Sequence, residues 1–135
     1  ASAGLGAPPR GALRLRFACL DRVQCSRLHW DDVPLRAISV LAGDGTEVLA
    51  EERVDRGAFD RLEALPLEAQ GALRAAEWNR AVAGGTDVQG AVRRVPPGWT
   101  ALLKGSAWRP AALGAIHRSP PAAAPRVLLQ VDFAD

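Results

Sequence analysis

Both ends of this chain alternate apolar and other side chains with a period of two, and one block of helical spacing separates them. From Ala12 to Leu20, Leu13, Leu15, Phe17 and Cys19 alternate with Arg14, Arg16 and Ala18, the pattern of a half-buried strand that ends near Asp21. Residues 27–49 are β-branched and apolar around a Gly43-Asp44-Gly45 turn. Pro34 divides them, so strands are expected at 28–31 and 35–41, with a hairpin return at 46–49. From Asp55 to Ala83, Phe59, Leu62 and Leu65, then Leu67, Leu73, Ala76 and Val82, recur at helical spacings on either side of Pro66, and Gly84-Gly85 stops the block. Extended segments resume at 90–95, 99–104, 112–117 and 126–133, punctuated by Pro96-Pro97-Gly98, Gly105 and a Pro-rich stretch at 119–125. A mainly β, antiparallel barrel or sandwich with a helical insertion around 55–83 is the simplest container for that order.

At 135 residues the chain suits one domain, expected over 12–135, behind a flexible arm of small residues and proline at 1–11. Its 48% apolar and 24% charged residues are those of a globular protein. A formal charge of +2 is too small a surplus to point to nucleic acid. No apolar run approaches the roughly 20 residues that span a bilayer, and Ala1–Arg10 lacks the apolar core of a signal peptide, so no membrane partner and a cytoplasmic address are expected. Cys19 and Cys25, six apart, read as small buried hydrophobes in a reducing compartment, with a thiolate contribution to a metal beside His29 as the alternative. Hydrolytic and nucleotide chemistry lack their signatures, since neither Gly-x-Ser-x-Gly nor a Gly-x-x-x-x-Gly-Lys-Ser/Thr loop occurs.

The chain has two histidines. His29 opens His29-Trp30-Asp31 in an expected strand, where alternation puts the imidazole and the carboxylate on one face and Trp30 on the other. His117 closes another expected strand, and Arg126 follows nine residues later. This His-x-Asp, distant His, then Arg order resembles that of iron(II) and 2-oxoglutarate dependent dioxygenases. Two imidazoles and one carboxylate there occupy one face of an octahedral Fe(II) and leave three positions open. The resemblance implies His29, Asp31 and His117 as metal ligands, with Arg126 pairing its planar fork with the far carboxylate of 2-oxoglutarate. Lys104, the sole lysine, and Ser119 are further candidates for the co-substrate carboxylate, against a rim lysine and a Ser-Pro turn. Arg36 is a candidate substrate or co-substrate contact, and if it faces inward a carboxylate must lie near it.

The blocks RLHWDDVPLRAISVLAGDGTEVL, ERVDRGA, PPGWTALLKGSAW and GAIHRSPP…PRVLLQVDF resemble, in order, those of the bacterial domain-of-unknown-function family 1826, over about residues 17–133. In that family the first block reads F-H-x-D-x-V-x-x-R-L-L followed by G-P-G-T-E-W. Here Leu28 stands for the Phe, Asp44 for the turn Pro and Val48 for the Trp, beside the candidate metal pair without touching it. The family carries no assigned biochemical function. Its members are often encoded near zinc-responsive genes and metal-chaperone GTPases, an association that implies metal homeostasis. The expected architecture is thus a double-stranded β-helix, cupin-like barrel with a mononuclear metal at its mouth. Its cofactors would be Fe(II) and 2-oxoglutarate, serving an oxygenase acting on an unknown small-molecule or peptide substrate; the alternative is a non-enzymatic Zn(II) protein, because ligand identity alone does not separate the two metals.

Overall fold

The last strand is the centre of the fold. In the computed structural model, which describes residues 11–108, 113–121 and 125–133, β7 (Arg126–Phe133) lies between β1 (Leu13–Leu20) and β2 (Leu35–Ala42), and β5 (Thr100–Lys104) flanks β2. All three pairings are antiparallel; β1 meets β7 from Leu13↔Phe133 to Leu20↔Arg126, and β2 meets it from Leu35↔Phe133 to Ala42↔Val127 with a bulge after Val40. A second antiparallel sheet runs β4 (Val92–Arg94), β3 (Glu47–Leu49), β6 (His117–Arg118).

Register decides which side chains reach the interior. On β7, Arg126, Leu128, Gln130 and Asp132 share one face and are all buried, opposite Val40, Ile38 and Arg36 of β2. The other face carries Val127, Leu129, Val131 and Phe133, opposite Leu13, Leu15 and Phe17 of β1, and these three are exposed. The alternation expected of β1 is therefore present, but its apolar side is the outward one. The inner face of this sheet lines a polar cavity, so it is the charged and amide side chains of β7 that turn inward.

The apolar core lies on the far side of the second sheet. Helices α1 (Arg56–Glu63), α2 (Leu67–Ala72), α3 (Ala75–Val82) and α4 (Val88–Ala91) follow β3, with α1 started by Asp55, whose carboxylate accepts from the Ala58 N–H at 2.8 Å. Phe59, Trp78 and Val82 from these helices pack against Leu28, Leu49 and Ile116. Phe59 and Val82 have no exposed surface, so the insertion is a packed layer rather than a lid.

Several expectations are corrected. The two sheets do not close into a barrel among the described residues, which form a mixed α/β fold of antiparallel sheets and four helices. The strand expected at 28–31 is one antiparallel bridge at His29, because the Leu28 N–H donates to Asn79 Oδ1 and its carbonyl accepts from Trp78 Nε1, leaving no ladder partners. Residues 90–95 begin as α4, started by the Asp87 side chain, before extending as β4. Of 112–117 only His117 is in a strand, continuing to Arg118, and residue 112 lies outside the described residues, as do residues 1–10 of the expected arm. No helix among the described residues is long and apolar enough to cross a membrane.

Candidate metal centre

His29 and His117, 88 positions apart, sit directly across a backbone bridge; the N–H of each donates to the carbonyl of the other at 3.0 and 2.9 Å. Bridged antiparallel partners project to the same side, so the two rings lie 4.5 Å apart, centroid to centroid. Leu28 and Trp30, flanking His29, turn the other way, Leu28 into the core and Trp30 edge-on to Phe59. Asp31 is thereby returned to the histidine side. Its backbone is fixed by the turn just after β5, where the Ser106 N–H donates to the Asp31 carbonyl at 2.9 Å and Gly105 passes so close that a Cβ there would lie 2.5 Å from that oxygen.

One ligand atom from each of His29, Asp31 and His117 lies within 4.8 Å of the other two. The hydrogen bonds assign the tautomers. His117 Nδ1–H donates to the Ala115 carbonyl at 3.0 Å and His29 Nδ1–H to the Arg27 carbonyl at 2.8 Å, so Nε2 of each ring is left to face Asp31, as a lone pair when the ring is neutral and as an N–H when it is protonated. His117 Nε2 faces Asp31 Oδ2 at 3.1 Å, and His29 Nε2 lies 3.7 Å from Oδ1. With His117 neutral, its Nε2 and Asp31 Oδ2 are two buried acceptors at 3.1 Å, an arrangement that either a proton on Nε2 or a bound cation relieves. That spacing is close to the roughly 3.0 Å between neighbouring donors on an octahedral metal with bonds of about 2.1 Å. The donor set thus fits a divalent ion. Burial works against the Asp31 charge, but His117, Arg36 and His29 outweigh it and hold the carboxyl below its usual range.

A cavity of about 200 Å³ opens on this group and is lined by His29, His117, Arg36, Arg126, Ser119 and Arg16, among others. Arg126 is only 4% exposed, and its Nε and Nη2 find no partner among the described residues. Burial pushes its pKa below the usual arginine value, partly offset by Asp44. Its neighbour in the cavity wall, Arg118, is neutralised differently; Nε donates to Glu47 Oε2 at 2.7 Å, and Glu47 also accepts from Arg94. A larger cleft of about 450 Å³ between α3 and α4 lies beyond Arg118 and contains none of the candidate ligands.

The other expected site residues separate. Arg36 faces inward, and two carboxylates meet it, Asp31 and Asp132, which together outweigh burial and raise its pKa. Ser119 lines the cavity while its backbone N–H donates to the Cys25 carbonyl at 2.8 Å, closing the loop that carries Cys25. Lys104 is a correction. It pairs with Leu35 on the register of β2, one residue out of phase with Arg36, so it lies on the opposite face, exposed, with Nζ 5.2 Å from the Trp108 ring centre. Cys19 is exposed rather than buried. Cys25 Sγ lies 3.4 Å from His29 Nδ1, the ring edge away from Asp31; the N–H on that edge favours the thiolate and lowers the thiol pKa against burial.

Asp132, Gln130 and the Glu47–Arg118 pair were not singled out from the sequence. The signal was present in the period-two spacing of Arg126, Gln130 and Asp132 on an otherwise apolar strand. Compared with known proteins, residues 7–132 match the family model described as a protein of unknown function (DUF1826). No curated protein and no solved structure matches the chain. With nearly the whole length covered, and with His29, Asp31, His117 and Arg126 all inside the match, the chain belongs to the DUF1826 family.

Proposed function

We propose that this protein binds one divalent metal through His29 Nε2, His117 Nε2 and Asp31 Oδ2 and holds a small carboxylate anion beside it on Arg126, as an iron(II)/2-oxoglutarate-dependent oxygenase does. The observation that carries the reading is Arg126. A buried guanidinium with no ion-pair partner, as Arg126 is among the described residues, costs on the order of several kcal/mol, and it shares a cavity with His29 and His117. A protein that only stores or delivers zinc has no use for such a cation, whereas a dicarboxylate bound at the metal neutralises it.

Bound together, and with dioxygen as the oxidant, iron(II) and 2-oxoglutarate would supply oxidative decarboxylation of the keto acid to succinate and carbon dioxide coupled to hydroxylation of a C–H bond, one oxygen atom going to each. The chain's own residues do the rest. The carbonyls of Arg27 and Ala115 hold the Nδ1 protons and so orient both imidazoles. Arg126 orients the anion through its far carboxylate, with the Ser119 hydroxyl in the same wall, and Ile38 and Leu128 keep part of that wall dry. The cavity is small enough to select a compact anion, so the oxidised substrate would approach from outside it. Strand orders β1-β7-β2-β5 and β4-β3-β6, the latter extended by the His29 bridge, support the double-stranded β-helix reading, because successive extended segments alternate between the two sheets except for β3 and β4, which pair with each other.

Anaerobic titration with Fe(II) and then 2-oxoglutarate tests the proposal. The expected result is the visible charge-transfer band of a chelated iron–keto-acid complex, lost in Asp31→Ala and weakened in Arg126→Ala. Tight Zn(II) binding at one equivalent with no band under iron and 2-oxoglutarate supports the zinc-protein reading instead, and Cys25→Ser then tests for a thiolate contribution.

A further inference from the structure

Asp31 has two oxygens, and the structure treats them differently. Oδ2 faces His117, while Oδ1 accepts from Arg36 Nη1 at 2.5 Å. Arg36 has no freedom to leave. Its Nε and Nη2 donate to the two oxygens of Asp132 at 2.6 and 2.9 Å, a fork on a fork, and Gln130 Nε2 donates to Asp132 Oδ2 at 3.0 Å. Arg36 and Asp132 are register partners on β2 and β7, and Gln130 lies two residues back on the same buried face. Asp132 is 3% exposed and Gln130 8%. The relay Gln130 to Asp132 to Arg36 to Asp31 is therefore held by the middle of the sheet and ends on a single carboxylate oxygen.

We infer that Arg36, clamped by Asp132, is a positioning residue that forces Asp31 to offer the metal one oxygen rather than two. The inference rests on the metal reading above and adds to it. On an octahedral ion, two imidazoles and a one-oxygen carboxylate leave three positions, enough for a bidentate anion and one further small ligand; a two-oxygen carboxylate leaves only two. The Arg36 contact keeps Oδ1 engaged and so preserves the third position. It also accounts for Arg36 without assigning it to substrate, since all three of its nitrogens are used by Asp31 and Asp132.

Co(II) titration followed by visible absorption separates the outcomes, with Co(II) as the probe and thermal melting as the control for folding. Wild-type protein is expected to bind one equivalent with weak bands of a high-coordinate site. Asp132→Asn, which loosens the clamp with little change of shape, is expected to weaken Co(II) binding about 10–100-fold and to shift the bands. Arg36→Lys, a single donor in place of a fork, is expected to fall between. Should Asp132→Asn fold poorly, the double variant Arg36→Met, Asp132→Leu removes the pair together and is expected to show the same loss and band shift. Wild-type binding with unchanged affinity and spectrum in folded variants overturns the positioning role while leaving the metal site standing. A wild-type chain that binds no Co(II) overturns both.

Discussion

The N–H of His29 and the N–H of His117 each donate to the other's carbonyl, so the only two imidazoles of the chain are locked as a cross-strand pair with their Nε2 atoms directed at Asp31. The pairing is made by backbone, and it persists whatever the imidazoles bind. A metal that binds this folded arrangement and not the unfolded chain must raise the melting temperature. At a free concentration 100 times the dissociation constant the gain is about 2.7 kcal/mol, or about 10 °C for a domain of this length. Zn(II) or Fe(II) is expected to give such a shift in wild-type protein, measured by calorimetry, and none in His117→Ala. An equal shift in both would show that the ion binds elsewhere.

Arg126 gives a prediction of opposite sign for stability and for binding. Its buried guanidinium, with two nitrogens lacking partners among the described residues, opposes folding of the empty protein. Arg126→Met keeps much of the volume and removes the charge. It is expected to stabilise the protein by about 1–2 kcal/mol in urea denaturation while lowering 2-oxoglutarate affinity at least tenfold by calorimetric titration. A variant that loses stability would mean that the guanidinium is satisfied in the empty state, and the anion-site argument would fall with it.

How far the sequence revealed this arrangement depended on whether each signal was local. Gly84-Gly85, Pro66 and the helical spacing around Phe59 and Val82 are read within a few residues, and the helical block appears where they place it. The alternation at His29-Trp30-Asp31 likewise puts the imidazole and carboxylate on one side, although Asn79 and Trp78 take the hydrogen bonds that would have made a strand. Direction was not legible. Leu13, Leu15 and Phe17 are apolar, and period two says only that they share a face, not that the face is the outer one. Lys104 was misplaced for a related reason, since a strand end gives no parity until its register with Leu35 is known. Asp132 required knowing that β7 lies beside β2 and brings it against Arg36.

Gly105 is where packing of the scaffold and geometry of the site meet. A Cβ at this position would lie 1.9 Å from the Val33 carbonyl oxygen and 2.5 Å from that of Asp31, both backbone atoms that cannot rotate away. The end of β5 must therefore move off the 31–33 segment in Gly105→Ala. A cost of about 2–3 kcal/mol is expected in urea denaturation, together with a fall in metal affinity, because Asp31 moves with its carbonyl. Gly71→Ala is the control, since an added Cβ there meets nothing within 4 Å. It is expected to leave metal affinity unchanged.

Glu47 binds Arg118, which stands between the cavity of the candidate metal centre and the cleft at α3 and α4. It is 1% exposed and accepts from Arg118 Nε at 2.7 Å and Arg94 Nη2 at 2.9 Å, so its removal strands a buried guanidinium whose Nη2 already lacks a partner among the described residues. Glu47→Leu is expected to cost about 3–5 kcal/mol, far more than the loss of a surface ion pair. Replacing both ends, Glu47→Leu with Arg118→Met, is expected to recover most of that loss, because two apolar side chains fill the space with no charge to bury. Metal affinity of the double variant is expected to stay near wild type. Arg118 lines the same cavity as His117 but its Nε is bound to Glu47 rather than to a candidate ligand, and His117 is held to His29 by backbone hydrogen bonds, so repacking the Arg118–Glu47 pair leaves the His117–His29 bridge in place. Should the double variant be as unstable as Glu47→Leu alone, the strand pairing of β3 with β6 depends on this ion pair for more than its charge, and metal binding is then expected to fall in step with stability.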